Sequence, residues 1–306
     1  MSMTTIRGVG SSIAGLALIA IAAQFAGSAP VVGTGMIPLP AVGQTKDIWM
    51  GPAANRVGAK VTVTSGTAKV QATSNGATTP LGQIPAGNAI VFEGEYEKLT
   101  VVAMAANTNG SFENRAPIGG SDMDRLIGQG SVTCPVGGGA MGFYASQSAV
   151  NRLVLVQAGT NQIGVRLSHT GNDIVSVDPG DWTFCSSNNV TQFDAYDAVG
   201  GGVATYKIYD MATGCGPYTG TASGKNGDLD NIYADGSKNL VVTVTNNGTG
   251  STLSVVTQLQ GQSTVTTIVP AGGSRTVSGA VVRCDWTVID ADPNRVTQAT
   301  FTVAGQ

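Results

Sequence analysis

The residues of this chain that could do chemistry are few and scattered. His169, in Ser168-His169-Thr170-Gly171, is the only histidine. A serine hydrolase would need it as general base, but Ser168 is its immediate neighbour, and neighbours on a strand point to opposite faces. No nucleophile-elbow motif accompanies it, so it reads as a solvated turn residue. Acidic residues recur as Asp228/Asp230, Asp122/Asp124, Asp290/Asp292 and Glu93/Glu95/Glu97. Asp228-Leu229-Asp230-Asn231 starts like a calcium loop, but Ile232, Tyr233 and Asn239 then occupy positions that such a loop gives to a ligand, a glycine and a bidentate glutamate. An irregular site from Asp228, Asp230 and Asp235 is the only metal candidate, against the plain reading as turn aspartates. Nothing in the sequence favours a glycosidase pair, whose partners meet only in space.

Cys134, Cys185, Cys215 and Cys284 lie far apart with no paired spacing, which excludes the common zinc sites and c-type haem. One or two disulfides among them and four buried free thiols fit the sequence equally. Gly137-Gly138-Gly139 and Gly200-Gly201-Gly202 lack the Lys-Ser/Thr of a phosphate loop and read as flexible or closely packed turns. Trp182 and Trp286 sit inside strand-like runs and read as core fillers; with Trp49 they would otherwise make a sugar-stacking platform. These residues point to no enzyme and to no cofactor.

The elements that would position such residues are marked by a phrase that recurs three times. It consists of an alternating run, a glycine turn, a polar hairpin and a turn with Pro and Gly. The copies run from Val61 to Gly87, from Leu153 to Gly180 and from Leu240 to Gly272. Their bounding glycines stand 21, 21 and 24 residues apart (66 to 87, 159 to 180, 248 to 272). Near-constant spacing points to one structural unit used repeatedly. Val61, Val63, Val70 and Ala72 alternate with polar residues, and Leu253–Thr257, Ser263–Val269 and Trp286–Ile289 have strand lengths. No amphipathic helix of three turns follows residue 30. The fold expected is all-β, with two or three tandem antiparallel β-sandwich or jelly-roll-like units.

The expected organisation is an apolar helix and Gly/Pro-rich arm over 1–56, a first β unit with its connection over 57–130, a second with a Gly-rich connection over 131–238, and a third over 239–306. Three compact clusters of buried Val, Ile and Trp should result, joined by Gly-rich linkers; a single large sheet system would refute the repeat. Around Asp122–Leu126 the connection reads as a short helical turn. Ile13 to Ala26 is a continuous apolar stretch behind Arg7, and Gly27-Ser28-Ala29 completes the three-part form of a secretory signal. Pro30 after the candidate cleavage point weakens that reading. Uncleaved, the segment would be a helix whose small residues permit close contact with another helix or a membrane. It is short for a span, which takes about 20 residues.

Charged residues make up 11 % of the 306, under half of the share of about 25 % usual in soluble domains. The abundance of Val, Thr and Ile argues against disorder. A surface so poor in charge is covered by Ser, Thr, Asn, Gln and Gly or is buried against other copies. With a net charge of −3 and no basic cluster, the chain has no means to neutralise phosphates, which argues against specific nucleic-acid binding.

The runs Val61 to Val102 and Leu240 to Ile289, each an alternating strand, glycine turn, Pro-Ala-Gly turn and later strand, resemble the small β-sandwich modules of phage virion accessory proteins. The resemblance covers about half of the chain and rests on texture. It implies a structural role in decoration, collars, spikes or fibres, and transfers no functional residues. The function expected is therefore a non-enzymatic virion component whose partners are copies of itself and other virion proteins. The alternative is an exported cell-surface protein, an adhesin, pilin-like or S-layer subunit, with a cleaved leader.

Overall fold

The computed structural model describes residues 31–52, 56–116, 118, 125–167, 173–210 and 216–306. Ile13 to Ala26, Asp122, Asp124, His169 and Cys215 lie outside the described residues, so the expected N-terminal helix and its membrane or helix contact are outside them too. Every regular element described is a strand, and among these residues no helix is long and apolar enough to cross a membrane.

The strands are cut by the alternation and turns seen in the sequence. In Leu240–Asn246, Leu240, Val242 and Val244 point inward, while Thr243 and Thr245 face out and share hydroxyl hydrogen bonds of 2.9 Å with Thr276 and Ser274. Period-2 patterning of this kind fixes which face of a strand meets the core.

Eight strands build the first unit: β1 (Val31–Leu39), β2 (Thr45–Met50), β3 (Arg56–Ser65), β4 (Thr67–Ser74), β5 (Ala77–Pro85), β6 (Asn88–Glu95), β7 (Lys98–Ala103) and β8 (Thr108–Arg115). They pair in the orders β1–β8–β3–β6 and β2–β7–β4–β5. Two sheets that interleave early and late strands in this way form a jelly roll. The last eight strands, β15 (Tyr218–Gly224), β16 (Leu229–Ala234), β17 (Leu240–Asn246), β18 (Thr252–Leu259), β19 (Val265–Pro270), β20 (Ser274–Gly279), β21 (Val281–Ile289) and β22 (Thr297–Gly305), repeat that order strand for strand as β15–β22–β17–β20 and β16–β21–β18–β19.

Between them lie six strands: β9 (Arg125–Thr133), β10 (Gly139–Ala158), β11 (Ile163–Leu167), β12 (Asp173–Val177), β13 (Trp182–Asp197) and β14 (Val203–Asp210). The 20-residue β10 and 16-residue β13 each serve twice. Residues 139–145 of β10 pair with 192–197 of β13, which also pairs β11; residues 152–157 of β10 pair with 182–187 of β13, and also with β14. Register breaks around Val150 separate the halves. Counting β10 as second and third strand and β13 as sixth and seventh gives the same two sheet orders. The chain is thus three jelly rolls in tandem.

Each copy of the sequence phrase covers the third to fifth strands of one roll and the turn that leads into the sixth. In every copy the glycine of the second turn has positive φ (Gly87 +82°, Gly180 +86°, Gly272 +73°), where an L side chain is strained. Its N–H donates to the end of the third strand, at Val63 O (2.8 Å), Ala158 O (3.0 Å) and Asn246 O (2.9 Å).

Three buried clusters are present, but they are not beads on linkers. One cluster lies in each roll, and Val91, Ala145, Leu153, Leu155 and Phe184 pack into the cluster of the adjoining roll. One sheet of fourteen strands passes through all three rolls, and two sheets of four strands complete the outer ones. The stretch expected as an arm carries β1 and β2, since Ile37, Leu39 and Ile48 are buried in the first core and the strands that carry them pair with β8 and β7. The Gly-rich stretch before residue 239 likewise carries β15 and β16, paired with β22 and β21.

Candidate functional site

The positions that set this chain apart from a string of sandwiches are the two joins between rolls. At the first, the sixth strand of the first roll, β6, runs parallel to the second strand of the second roll: Val91 opposes Tyr144, Phe92 opposes Ala145 and Glu93 opposes Ser146. At the second join, the sixth strand of the second roll, the early half of β13, runs parallel to β16: Cys185 opposes Tyr233 and Ser186 opposes Ala234. The same two strand positions, in the same direction, make both joins.

The first join encloses a charge network. Glu93 is fully buried, directly after the apolar run Ala89-Ile90-Val91-Phe92 of β6. Its carboxylate accepts from Arg152 Nε at 2.8 Å and from the Tyr144 hydroxyl at 2.6 Å, and forms ion pairs with both Arg152 and Arg56. Arg152 also donates to Asp210 at 2.7 Å, Arg56 donates to Ser146 Oγ at 3.0 Å, and the Tyr96 hydroxyl donates to the Glu93 carbonyl at 2.8 Å. Burial alone would raise the Glu93 pKa, and the two guanidiniums more than reverse it, so the carboxyl is held below its usual range. Burial and the Glu93 charge push the Tyr144 hydroxyl well up, which keeps it a neutral donor. The network spans two rolls: Glu93, Arg56 and Tyr96 belong to the first, and Arg152, Tyr144 and Asp210 to the second. Sequence reading grouped Glu93 with Glu95 and Glu97 and missed its arginine partners. The available signal was a charge inside Ile90-Val91-Phe92-Glu93, a run otherwise ready for the core.

The second join is acidic. Asp181, next to the turn entering β13, accepts from Ser223 N of β15 at 2.9 Å, and Thr183 Oγ1 donates to Asn231 O at 2.6 Å. Burial, with Asp178 and Asp228 nearby, raises Asp181 to about 6; burial and the charges of Asp181, Asp178 and Asp228 raise Asp230 to about 7.

The calcium candidates do not converge. Asp230 lies within β16 and Asp235 directly follows it, five positions on, or about 16 Å at ~3.3 Å per residue. Asp235 instead accepts from Asn188 N and Ser237 N, and Asp228 from Lys225 N. Among the described residues no group of three or more His, Cys, Asp or Glu is arranged to hold a metal. Asp290 and Asp292 close a turn, and Glu97 accepts from Asn75 N at a hairpin tip. Cys134, Cys185 and Cys284 are free and buried, so no disulfide joins these three. Burial lifts the Cys134 thiol to about 11 and the Cys284 thiol to about 12. The two glycine triplets pack on each other: a Cβ on Gly200 would lie 2.4 Å from Gly138 N and from Pro135 O. Trp286 is buried, Trp182 is half-buried under Lys207, and Trp49 donates to Tyr96 O at 2.9 Å.

No family model matches the chain, and no curated protein matches it. The solved structures to which it is weakly similar include the following three. The first is the protein YhaK from Escherichia coli, at 10 % identity over 59 % of this chain and 86 % of that one, with a TM-score of 0.22. The second is a chain from a structure described as the triple jelly roll fold and turret assembly in an archaeal virus, at 10 % identity over 90 % and 84 %, TM-score 0.24. The third is a chain of the lipid-containing bacteriophage PM2, at 11 % identity over 90 % and 100 %, TM-score 0.20. The jelly-roll description of this chain rests on its own strand order.

Proposed function

We propose that this protein is a non-enzymatic structural component of a virion that assembles with copies of itself. The observation that carries the reading is the fusion of three jelly rolls, strand edge to strand edge, into one sheet of fourteen strands. Among the described residues, several side chains that could act chemically serve structure: Glu93 and Arg152 close a join, and Asp235 and Asp292 cap turns. The low charge content supports the same reading, because weakly charged Thr/Ser/Val faces lose little solvation when subunits meet. Apolar area buried in this way contributes about 25 cal/mol per Å². No cofactor enters this reading, and other virion proteins are the remaining partners. Ile13 to Ala26 would anchor the chain to its assembly or to a membrane.

The test is immunogold labelling of particles released from a producing culture, together with the intact mass of the labelled protein. Labelled particles containing a chain that begins at Met1 or Ser2 support the proposal. Label confined to the cell envelope, on a chain short by about thirty residues, replaces it with the exported surface protein.

A further inference from the structure

Both internal joins use the sixth strand of one roll and the second strand of the next. That rule leaves one strand of each kind unused. Among the described residues, the second strand of the first roll, β2, pairs only with β7, and the sixth strand of the third roll, β20, pairs only with β17. We propose that β20 of one copy pairs in parallel with β2 of another, repeating between chains the join that the chain makes twice within itself. The inference rests on the assembly reading above and names its contact.

β2 has the local form of the second strand already used at the first join. In β10 the register against β13 breaks between Gly142 and Tyr144, so that buried Phe143 bulges, and Tyr144-Ala145 then take the parallel partner. In β2 the register against β7 breaks between Asp47 and Trp49, so that buried Ile48 bulges, and Trp49-Met50 follow. The third roll presents Tyr233-Ala234 at the corresponding place. An aromatic residue followed by an apolar one thus occupies all three sites. In the two filled sites the second residue is at least partly buried; Met50, in the unfilled one, is 73 % exposed. On β20, Ser274, Thr276 and Ser278 are exposed and uncharged. Unprotected strand edges of this kind are templates for pairing with another chain.

The turn glycines set the register. The sixth-strand residues opposite Ala145 and Ala234 are Phe92 and Ser186, which pair within their own sheets with Ala59 and Leu153. These lie four and five residues before Val63 and Ala158, the acceptors of the turn glycine. The same count back from Asn246 reaches Val242 or Val241, whose partners are Val277 and Ser278. Met50 of one copy therefore sits beside Val277 or Ser278 of the next. A contact between two different patches is head-to-tail, and it closes into a ring or extends as a fibre.

The experiment mixes two full-length variants, Met50→Cys and Ser278→Cys, under mild oxidation and maps the disulfides by peptide mass. Strand neighbours lie within disulfide reach, and both positions are exposed, so unchanged melting of each variant shows that the fold is kept. A 50-to-278 bridge that forms in the mixture, and in neither variant alone, is the expected result. Bridges between identical positions, or none while the wild-type chain still self-associates in sedimentation, overturn the join and leave the virion reading standing. A 50-to-278 bridge in a protein whose antibody labels no particle keeps the join and removes the virion reading.

Discussion

At the scale of single residues, Glu93 is the side chain with most at stake. Removing one member of a buried ion pair strands its partner, so Glu93→Gln or Arg152→Met should lower stability by about 3–5 kcal/mol, read by chemical denaturation. The pH dependence has a definite sign. The Glu93 pKa is lowered on folding, so its contribution is present above the unfolded value of 4.5 and is lost as pH falls through the folded value. Wild type should weaken on acidification in this range more than Glu93→Gln does. The turn glycines give a second test. A Cβ on Gly87, Gly180 or Gly272 would meet nothing within 4 Å, so Ala at each costs only the left-handed backbone, about 1–2 kcal/mol and similar in all three. Gly200→Ala should cost more in the same melts, because the Cβ also collides with the backbone of the other triplet.

At the scale of elements, the two joins share strand geometry and differ in chemistry. The first balances charge, whereas the second crowds Asp178, Asp181, Asp228 and Asp230 around β13 and β16. Carboxyls raised on folding to about 6 and about 7 impose no penalty below their unfolded value of 3.8 and progressively destabilise the fold as pH rises through 6 and 7. Asp230→Asn should therefore stabilise the protein at pH 8, by about 1–3 kcal/mol, and do nothing at pH 3. Thermal melts of both proteins across that range check it; a gain that is equal at the two ends would show that ionising this buried carboxyl among its acidic neighbours is not the cause.

At the scale of the whole molecule, paired strands and shared core residues tie the rolls together. Three sandwiches on flexible linkers would melt independently, but here Val91 packs into the second core and Leu153 and Phe184 into the third. Calorimetry should show the Glu93→Gln lesion lowering the melting of the second roll as well as the first, with hydrogen exchange at β10 accelerated along with β6. The buried thiols offer a convenient probe: Cys134, Cys185 and Cys284, one in the second roll, one beside the second join and one in the third roll, should resist alkylation until their rolls open.

The sequence by itself determined the all-β class and the threefold phrase, because alternation and turn chemistry are local: a period of two in Leu240–Asn246 and a left-handed glycine at position 272 act within a few residues. It also argued against a serine hydrolase and a regular calcium loop, since Ser168 is the immediate neighbour of His169 and Ile232 breaks the loop pattern. The tertiary structure decided what the phrase belongs to. The third to sixth strands of each roll are contiguous and legible, whereas the first and second pair with the eighth and seventh across 48 to 85 residues in the outer rolls, as Met50 does with Lys98 and Tyr218 with Val303, and so β1 and β2 read as an arm. The network at the first join was hidden for the same reason. Glu93 and Arg152 are 59 residues apart, and only the parallel pairing of β6 with β10 makes their burial favourable. Local periodicity encodes which face of a strand is buried, but not which distant strand will cover it.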